Sequence, residues 1–266
     1  GRAPTVATGV KVANPDLSVW VVTGDGDGLS IGGNHLMHLL RRNVNVNVLL
    51  FNNRIYGLTK GQYSPTSPIG TRTKTTPMGS VDPPIDPVLF ALGAKASFIA
   101  RTIDNNPKHM AQVFKAAHEH KGVSFVEILQ NCVIFNDKTW DGIYSKENRN
   151  DHLLFLEKDK PLLFGKDKEK GIVLHGVHPR AVPVGENGCP IEDVIVHQPD
   201  HESALFVRML AVMGGPDLPV PVGVIRERQA PTYEDGVDEQ IAEAQEADGT
   251  GSMHELLDGG GSWVVE

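Results

Sequence analysis

Short apolar runs and amphipathic stretches alternate along the first half of the chain. Residues 18–22 (SVWVV) form a Val-rich run that predicts a buried strand, and residues 46–51, 96–101 and 124–129 (SFVEIL) predict three more. Between them lie stretches with helical spacing. Residues 5–13 read as a helix stopped by Asn14-Pro15, and Gly32-Gly33-Asn34 opens another through Arg42, with Leu36, Leu39 and Leu40 on one side. Residues 87–93 predict a short helix, and 107–120 a longer one with Met110, Val113, Phe114 and Ala117 on one face. Beyond Asp137 the pattern weakens, leaving 172–174 and 193–197 as candidate strands and 202–213 as a candidate helix. Strands alternating with helices imply an α/β fold, a mostly parallel sheet with helices on both faces. Such sheets bind ligands beyond the carboxyl ends of their strands.

Two predicted strands end in residues suited to that task. The first runs into the glycine-rich turn Thr23-Gly24-Asp25-Gly26-Asp27-Gly28, and the second into Asn52-Asn53. A Mg²⁺–diphosphate site needs hard oxygen ligands in octahedral array. Asp25 offers a carboxylate, Asn53 an amide oxygen and Ile55 a backbone carbonyl. The glycines let backbone N–H groups approach phosphate oxygens, and the helix opening near Gly32 adds a positive dipole end. GDG or NN alone is a weak signal, since both are ordinary turns. Strand–GDG–helix–strand–NN within 30 residues is the thiamine diphosphate pattern. A Rossmann dinucleotide site fits worse: GxGxxG is not in place, and no acidic residue ends the second strand. The polar segment 57–86 is too long for a simple connection, and long loops in compact domains are usually functional.

Composition narrows the class. With 40% hydrophobic and 22% charged residues the chain is ordinary for a globular protein, and no apolar run reaches the length of a membrane span. The net charge of −8 is uneven: ten of the 33 acidic residues follow Arg228, after which no Lys or Arg occurs. No basic patch suggests nucleic acid. Two cysteines, Cys132 and Cys189, are too few for a disulfide framework and fit a cytoplasmic protein with reduced thiols. The absence of a starting Met suggests a fragment. His35 with His38, the pair His118 and His120, Asp151-His152, and His197 with Asp200 and His201 lack convergent partners and read as structural, as does Ser64.

Several stretches resemble the beta subunit of 2-oxoacid:ferredoxin oxidoreductases, the 2-oxoglutarate type especially. They are residues 23–43 (TGDGDGLSIGGNHLMHLLRRN), 49–67 (LLFNNRIYGLTKGQYSPTS) and 127–137 (EILQNCVIFND), with weaker likeness over 151–165 and 223–235. The resemblance implies oxidative decarboxylation of a 2-oxoacid, by preference 2-oxoglutarate. Thiamine diphosphate and Mg²⁺ are the implied cofactors, coenzyme A the acyl acceptor, and ferredoxin the electron acceptor through a [4Fe–4S] cluster. Carried over by residue, Asp25, Asn53 and the Ile55 carbonyl would hold Mg²⁺. Gly24, Gly26 and Asp27 would line the diphosphate. Tyr56, Gly57, Leu58 and Thr59 would wall the cofactor, and Lys60 would meet a phosphate or substrate carboxylate as the catalytic candidate. Cys132 would be one of four cluster thiolates in the full-length protein; the N-terminal segment carrying the other three is not in this sequence, and Cys189 matches no family ligand. The Glu that activates the aminopyrimidine would come from an alpha subunit, so the expected active form is a heterodimer.

Three regions are expected: a thiamine diphosphate/Mg-binding domain at 1–150, a C-terminal extension at 151–235 packing on it or on the partner, and an acidic, partly flexible tail at 236–266. The competing readings are a decarboxylase or carboligase of the acetolactate synthase type, and a non-catalytic diphosphate-binding subunit.

Overall fold

The computed structural model of the chain describes every residue except 187, 260, 262, 264 and 266. The N-terminal half follows the predicted alternation. Helix α1 (Ala3–Ala13) leads to β1 (Trp20–Gly24), a one-turn helix α2 (Asp25–Leu29), α3 (Gly33–Arg42) and β2 (Asn47–Asn52). After the long loop come α4 (Pro87–Gly93), β3 (Phe98–Ile103), α5 (Pro107–Glu119) and β4 (Ser124–Leu129). The helix starts are written in the sequence. Asp86 and Asn106 cap α4 and α5 by accepting the N–H groups of Leu89 and His109, each followed by Pro at the first helical position. Asn43 closes α3 in the left-handed conformation (φ 53°). Its amide ties the base of the sheet together, accepting from Ser97 Oγ at 2.6 Å and the Val123 N–H at 2.9 Å, and donating to the carbonyls of Ala230 and Pro231.

The chain continues through short helices α6 (Asp141–Tyr144) and α7 (Arg149–His152), β5 (Leu153–Phe155), β6 (Leu163–Phe164), β7 (Lys170–His175), β8 (His178–Pro183), α8 (Ala204–Val212), β9 (Val220–Glu227), α9 (Tyr233–Asp248) and α10 (Met253–Asp258). The main sheet has the order β1-β2-β4-β3-β9-β5, with β6, β7 and β8 in a small antiparallel sheet. Strands β1 to β4 are mutually parallel; β9 runs antiparallel to β3, with a bulge at Ile99/Ala100. Residues beyond 150 therefore add two strands to the sheet that carries GDG and NN.

Both faces of the sheet are covered, which is why β3 and β4 are buried along their whole length. One face (Val48, Leu50, Ile99, Phe125, Ile225) packs on Leu36, Leu39 and Leu40 of α3, Val88 and Ala91 of α4, and Val207, Leu210 and Ala211 of α8. The other (Leu49, Phe98, Ala100, Val126, Ile128) packs on Val113 and Ala117 of α5.

Three expectations change. The GDG segment is a helical turn rather than an open one. Residues 193–197 hold only an isolated bridge, Val196 to Pro161, after a 3-10 turn at Ile191–Asp193. The acidic stretch expected to be partly disordered is helical over α9 and α10: Thr232 caps α9 from the Asp235 N–H, with Glu234 and Asp235 in its first turn, where carboxylates suit the helix dipole. Four of that region's last residues lie outside the described ones. No helix among the described residues is long and apolar enough to cross a membrane.

Candidate functional site

The parallel pairing of β1 with β2 sets Gly24 opposite Phe51, so the GDG turn and the Asn52-Asn53 end meet on one rim of the sheet. Asp25 opens α2 and is 1% exposed. Its Oδ2 accepts hydrogen bonds from Ser64 Oγ at 2.5 Å and Thr66 Oγ1 at 2.6 Å. Both hydroxyls come from the long loop, where Ser67 closes the turn: its N–H donates to the Ser64 carbonyl and its Oγ to the Arg54 carbonyl. Burial pushes the Asp25 carboxyl above the usual carboxylate range, opposed by the Ser64 and Thr66 donors. The groups that reach this carboxyl are neutral hydroxyls and backbone N–H groups. The charged group that acts on it is the buried Arg54 guanidinium, which feels the Asp25 charge without a hydrogen bond to it.

Oδ1 of Asp25 faces Asn53. One terminal atom of the Asn53 amide lies 2.9 Å from the Ile55 carbonyl oxygen and 3.2 Å from Asp25 Oδ1. If that atom is nitrogen, the amide donates to both oxygens. If it is oxygen, it accepts from the Ile55 N–H at 3.3 Å and three oxygens converge, an arrangement that a cation favours. Adjacent ligands of an octahedral Mg²⁺ at about 2.1 Å stand about 3 Å apart. The separations thus suit a small hard cation, with the amide turned by 180° between its two uses.

Tyr56 seals one wall. Its hydroxyl donates to the Gly26 carbonyl at 2.8 Å, and a Cβ on Gly26 would fall 2.5 Å from its ring, so only glycine fits there. Asp27 accepts from Thr23 Oγ1 at 2.8 Å. A Cβ at Gly24 would meet open space. Gly57, Leu58, Thr59 and Lys60 form an exposed turn closed by the Lys60 N–H to the Gly57 carbonyl, with Lys60 at φ 66°. The Lys60 side chain makes no hydrogen bond or ion pair with the Asp25 group among the described residues. Behind the site lies a cavity of about 340 Å³, bordered by Asn52, Arg54, Thr66, Arg101, Glu127 and Trp140, with the Arg54 guanidinium 3.7 Å over the Trp140 ring.

Cys132 stands just past β4, half-buried and free. Its turn is fastened to the site, since the Asn136 N–H donates to the Cys132 carbonyl and Asn136 Nδ2 to the Asn53 carbonyl, both at 2.9 Å. Cys189 bridges to Val184 after β8. Among the described residues no three His, Cys, Asp or Glu side chains gather as a metal cluster; His35 contacts Thr5. The sequence reading missed Thr66, named Asn52 only as part of the strand-end pair, and set aside as a nucleophile Ser64, which instead binds Asp25.

Residues 1–128 match the model of the thiamine pyrophosphate enzyme C-terminal TPP-binding domain. The chain is also 45% identical over 269 residues to 2-oxoglutarate oxidoreductase subunit KorB of Mycobacterium tuberculosis, an alignment spanning 100% of this chain and 71% of that protein. The chain belongs to the family of 2-oxoacid:ferredoxin oxidoreductase beta subunits. A member from Saccharolobus solfataricus, 2-oxoacid:ferredoxin oxidoreductase subunit beta, is 41% identical over 159 residues, 60% of this chain and 50% of that one. The solved 2-oxoglutarate:ferredoxin oxidoreductase from Magnetococcus marinus, described with 2-oxoglutarate, coenzyme A and succinyl-CoA bound, superposes with a TM-score of 0.69 at 31% identity, over 97% of this chain and 72% of that one. As a member of this family the chain is part of an oxidoreductase and carries a thiamine diphosphate-binding domain. Its mostly parallel α/β sheet is the fold that the sequence predicts.

Proposed function

We propose that this beta subunit holds thiamine diphosphate and Mg²⁺ for the oxidative decarboxylation of 2-oxoglutarate to an acyl-CoA and CO₂. The observation that carries the reading is the convergence of Asp25 Oδ1, the Asn53 amide and the Ile55 carbonyl at distances suited to Mg²⁺. These three groups are the Mg²⁺ ligands. Gly24, Gly26 and Asp27 line the diphosphate, where small residues admit backbone N–H groups. Tyr56, pinned on Gly26, and Gly57, Leu58 and Thr59 wall the cofactor, and Lys60 supplies an ammonium to a phosphate or substrate carboxylate. Thiamine diphosphate, when bound, supplies the carbanion chemistry of decarboxylation; the protein's part is to hold and orient it and to keep water away.

In the full-length protein Cys132, fastened beside the site through Asn136, is one thiolate of a [4Fe–4S] cluster that passes electrons to ferredoxin. 2-Oxoglutarate and coenzyme A are assigned because the Mycobacterium tuberculosis relative is named for 2-oxoglutarate and the Magnetococcus marinus enzyme holds both molecules. The active form is a heterodimer with the alpha subunit, placed in the cytoplasm in keeping with two free thiols.

Calorimetry of the chain co-purified with its alpha subunit tests the reading. Thiamine diphosphate should bind only with Mg²⁺, and Asp25→Ala should abolish that binding in a folded complex. A viologen-reduction assay with 2-oxoglutarate against pyruvate then fixes the substrate. Cation-independent binding of thiamine diphosphate would refute the Mg²⁺ assignment.

A further inference from the structure

Asp25 is not held by the loop hydroxyls alone. Thr66 Oγ1, 2.6 Å from Asp25 Oδ2, is also 2.9 Å from Asn52 Oδ1. Asn52 Nδ2 donates to Glu127 Oε1 at 2.7 Å, and the other oxygen of Glu127 accepts from Arg101 Nε at 2.6 Å. The line crosses three adjacent parallel strands, β3, β4 and β2, where Arg101 stands opposite Glu127 and Glu127 opposite Leu50. All members are buried; Arg101 is 5% exposed and Glu127 1%.

We infer that the Arg101–Glu127 pair is a positioning device for the metal carboxylate, acting through Asn52 and Thr66. Each link constrains the next. Arg101 takes one oxygen of Glu127 and leaves the other for Asn52. An anionic acceptor there requires Asn52 to present its NH₂, which turns its carbonyl toward Thr66. The single proton of the Thr66 hydroxyl then faces two acceptors, Asp25 Oδ2 at 2.6 Å and the Asn52 carbonyl at 2.9 Å, and the shorter contact is the one to the carboxylate. With Oδ2 of Asp25 held by Thr66 and Ser64, the carboxylate plane is set and Oδ1 is aimed at Asn53 and Ile55. A buried ion pair is by itself weak evidence of a stabilising role. Apolar residues of similar volume replace a buried pair at little cost, whereas orienting a polar group requires charge and direction. The arrangement is the outer shell of a metal site, where loss of a partner lowers metal affinity about 10–100-fold.

The inference rests on the Mg²⁺ reading of Asp25, Asn53 and Ile55. Its test is the Mg²⁺ concentration that half-saturates thiamine diphosphate binding, measured on the full-length chain with its alpha subunit. Thr66→Val keeps the shape and removes the hydroxyl; it should raise that concentration about tenfold or more, and Thr66→Ser should restore it. Glu127→Gln, which never touches the cation, should raise it as well, and combining it with Thr66→Val should add little beyond either alone. If Glu127→Gln does not fold, Asn52→Leu takes its place, because it breaks the line while leaving Arg101 and Glu127 paired. A lowered melting temperature with an unchanged Mg²⁺ requirement in Thr66→Val and in Glu127→Gln, or additive effects in the double variant, would overturn the positioning role alone. A wild-type complex without any Mg²⁺ requirement would overturn the cation reading and the positioning role together.

Discussion

Single atoms decide whether two of this chain's residues can change. At Gly26 the added Cβ of alanine would meet the Tyr56 ring, which is anchored by its hydroxyl to the Gly26 carbonyl and cannot tilt without losing that bond. Gly26→Ala should cost on the order of 1–3 kcal/mol, read from denaturant unfolding, and should weaken thiamine diphosphate binding in the complex because the displaced ring lines the same wall. His197 has a different constraint. Its Nε2 donates to the Val224 carbonyl, while its Nδ1 is buried with no partner. Protonation would place a second N–H where nothing accepts it, and burial accordingly lowers the pKa of this ring; the same cause lowers those of His109 and His120. The unfolded rings take up protons near pH 6.5, the folded ones only at lower pH. The stability from keeping them neutral is therefore fully present above about pH 6.5 and is lost as pH falls through the folded values. Melting temperature should be flat above roughly pH 7 and should fall below 6.5. His197→Gln, which keeps a donor for Val224, should make the fall shallower; an unaltered slope would exclude His197 as a contributor.

At the level of elements, the sequence exposed the fold unevenly. Strands β2, β3 and β4 were readable because they are buried on both faces and so appear as continuous apolar runs, and the helices between them because Asp86-Pro87 and Asn106-Pro107 announce their starts. Strand β9 was not. Pro221 and Gly223 interrupt its pattern, and Gly223 takes φ 124° with the Leu156 carbonyl oxygen 2.9 Å from where a Cβ would stand. Most of helix α9 was read as part of an acidic, partly flexible tail because Glu234 is its one buried residue, leaving no apolar stripe to see. In the site, Asp25 and Asn53 were legible from spacing. Thr66 was not, because its irregular loop has no period, and Glu127 was hidden inside a strand whose cross-strand neighbours only tertiary register reveals. Gly223→Ala should separate β9 from the segment after β5 and cost on the order of 3 kcal/mol from backbone strain and contact together. Hydrogen exchange should then show protection lost first in β5 and β9 and kept in β1 and β2. Uniform loss would mean that the sheet opens as a single unit.

For the molecule as a whole, several large apolar side chains on the loops after β2 and β4 are exposed. Leu58 is 96% exposed, and Val133 and Ile134, which follow Cys132, are about three-quarters exposed, with Met78 and Val81 on the long loop nearly fully so. Under the proposed shared active site, these side chains are where the alpha subunit would dock. Leu58→Asp and Ile134→Glu should each weaken co-purification with the alpha subunit while leaving the melting temperature of the chain unchanged, because neither side chain supports the core. Retention of the complex by both variants would move the contact elsewhere.

The order of strands has a further consequence for synthesis. The four strands that carry GDG and NN are complete by Leu129, but the outer edge of β3 is covered by β9, which starts at Val220. At about 5–20 residues per second, the roughly ninety intervening residues occupy a ribosome for about 5–18 s. Throughout that interval β3, Phe98–Ile103, presents an unpaired edge able to template pairing with another nascent chain. Slow or stalled translation before β9 has emerged should therefore favour aggregation of this subunit, whereas delay after β9 has left the ribosome should not.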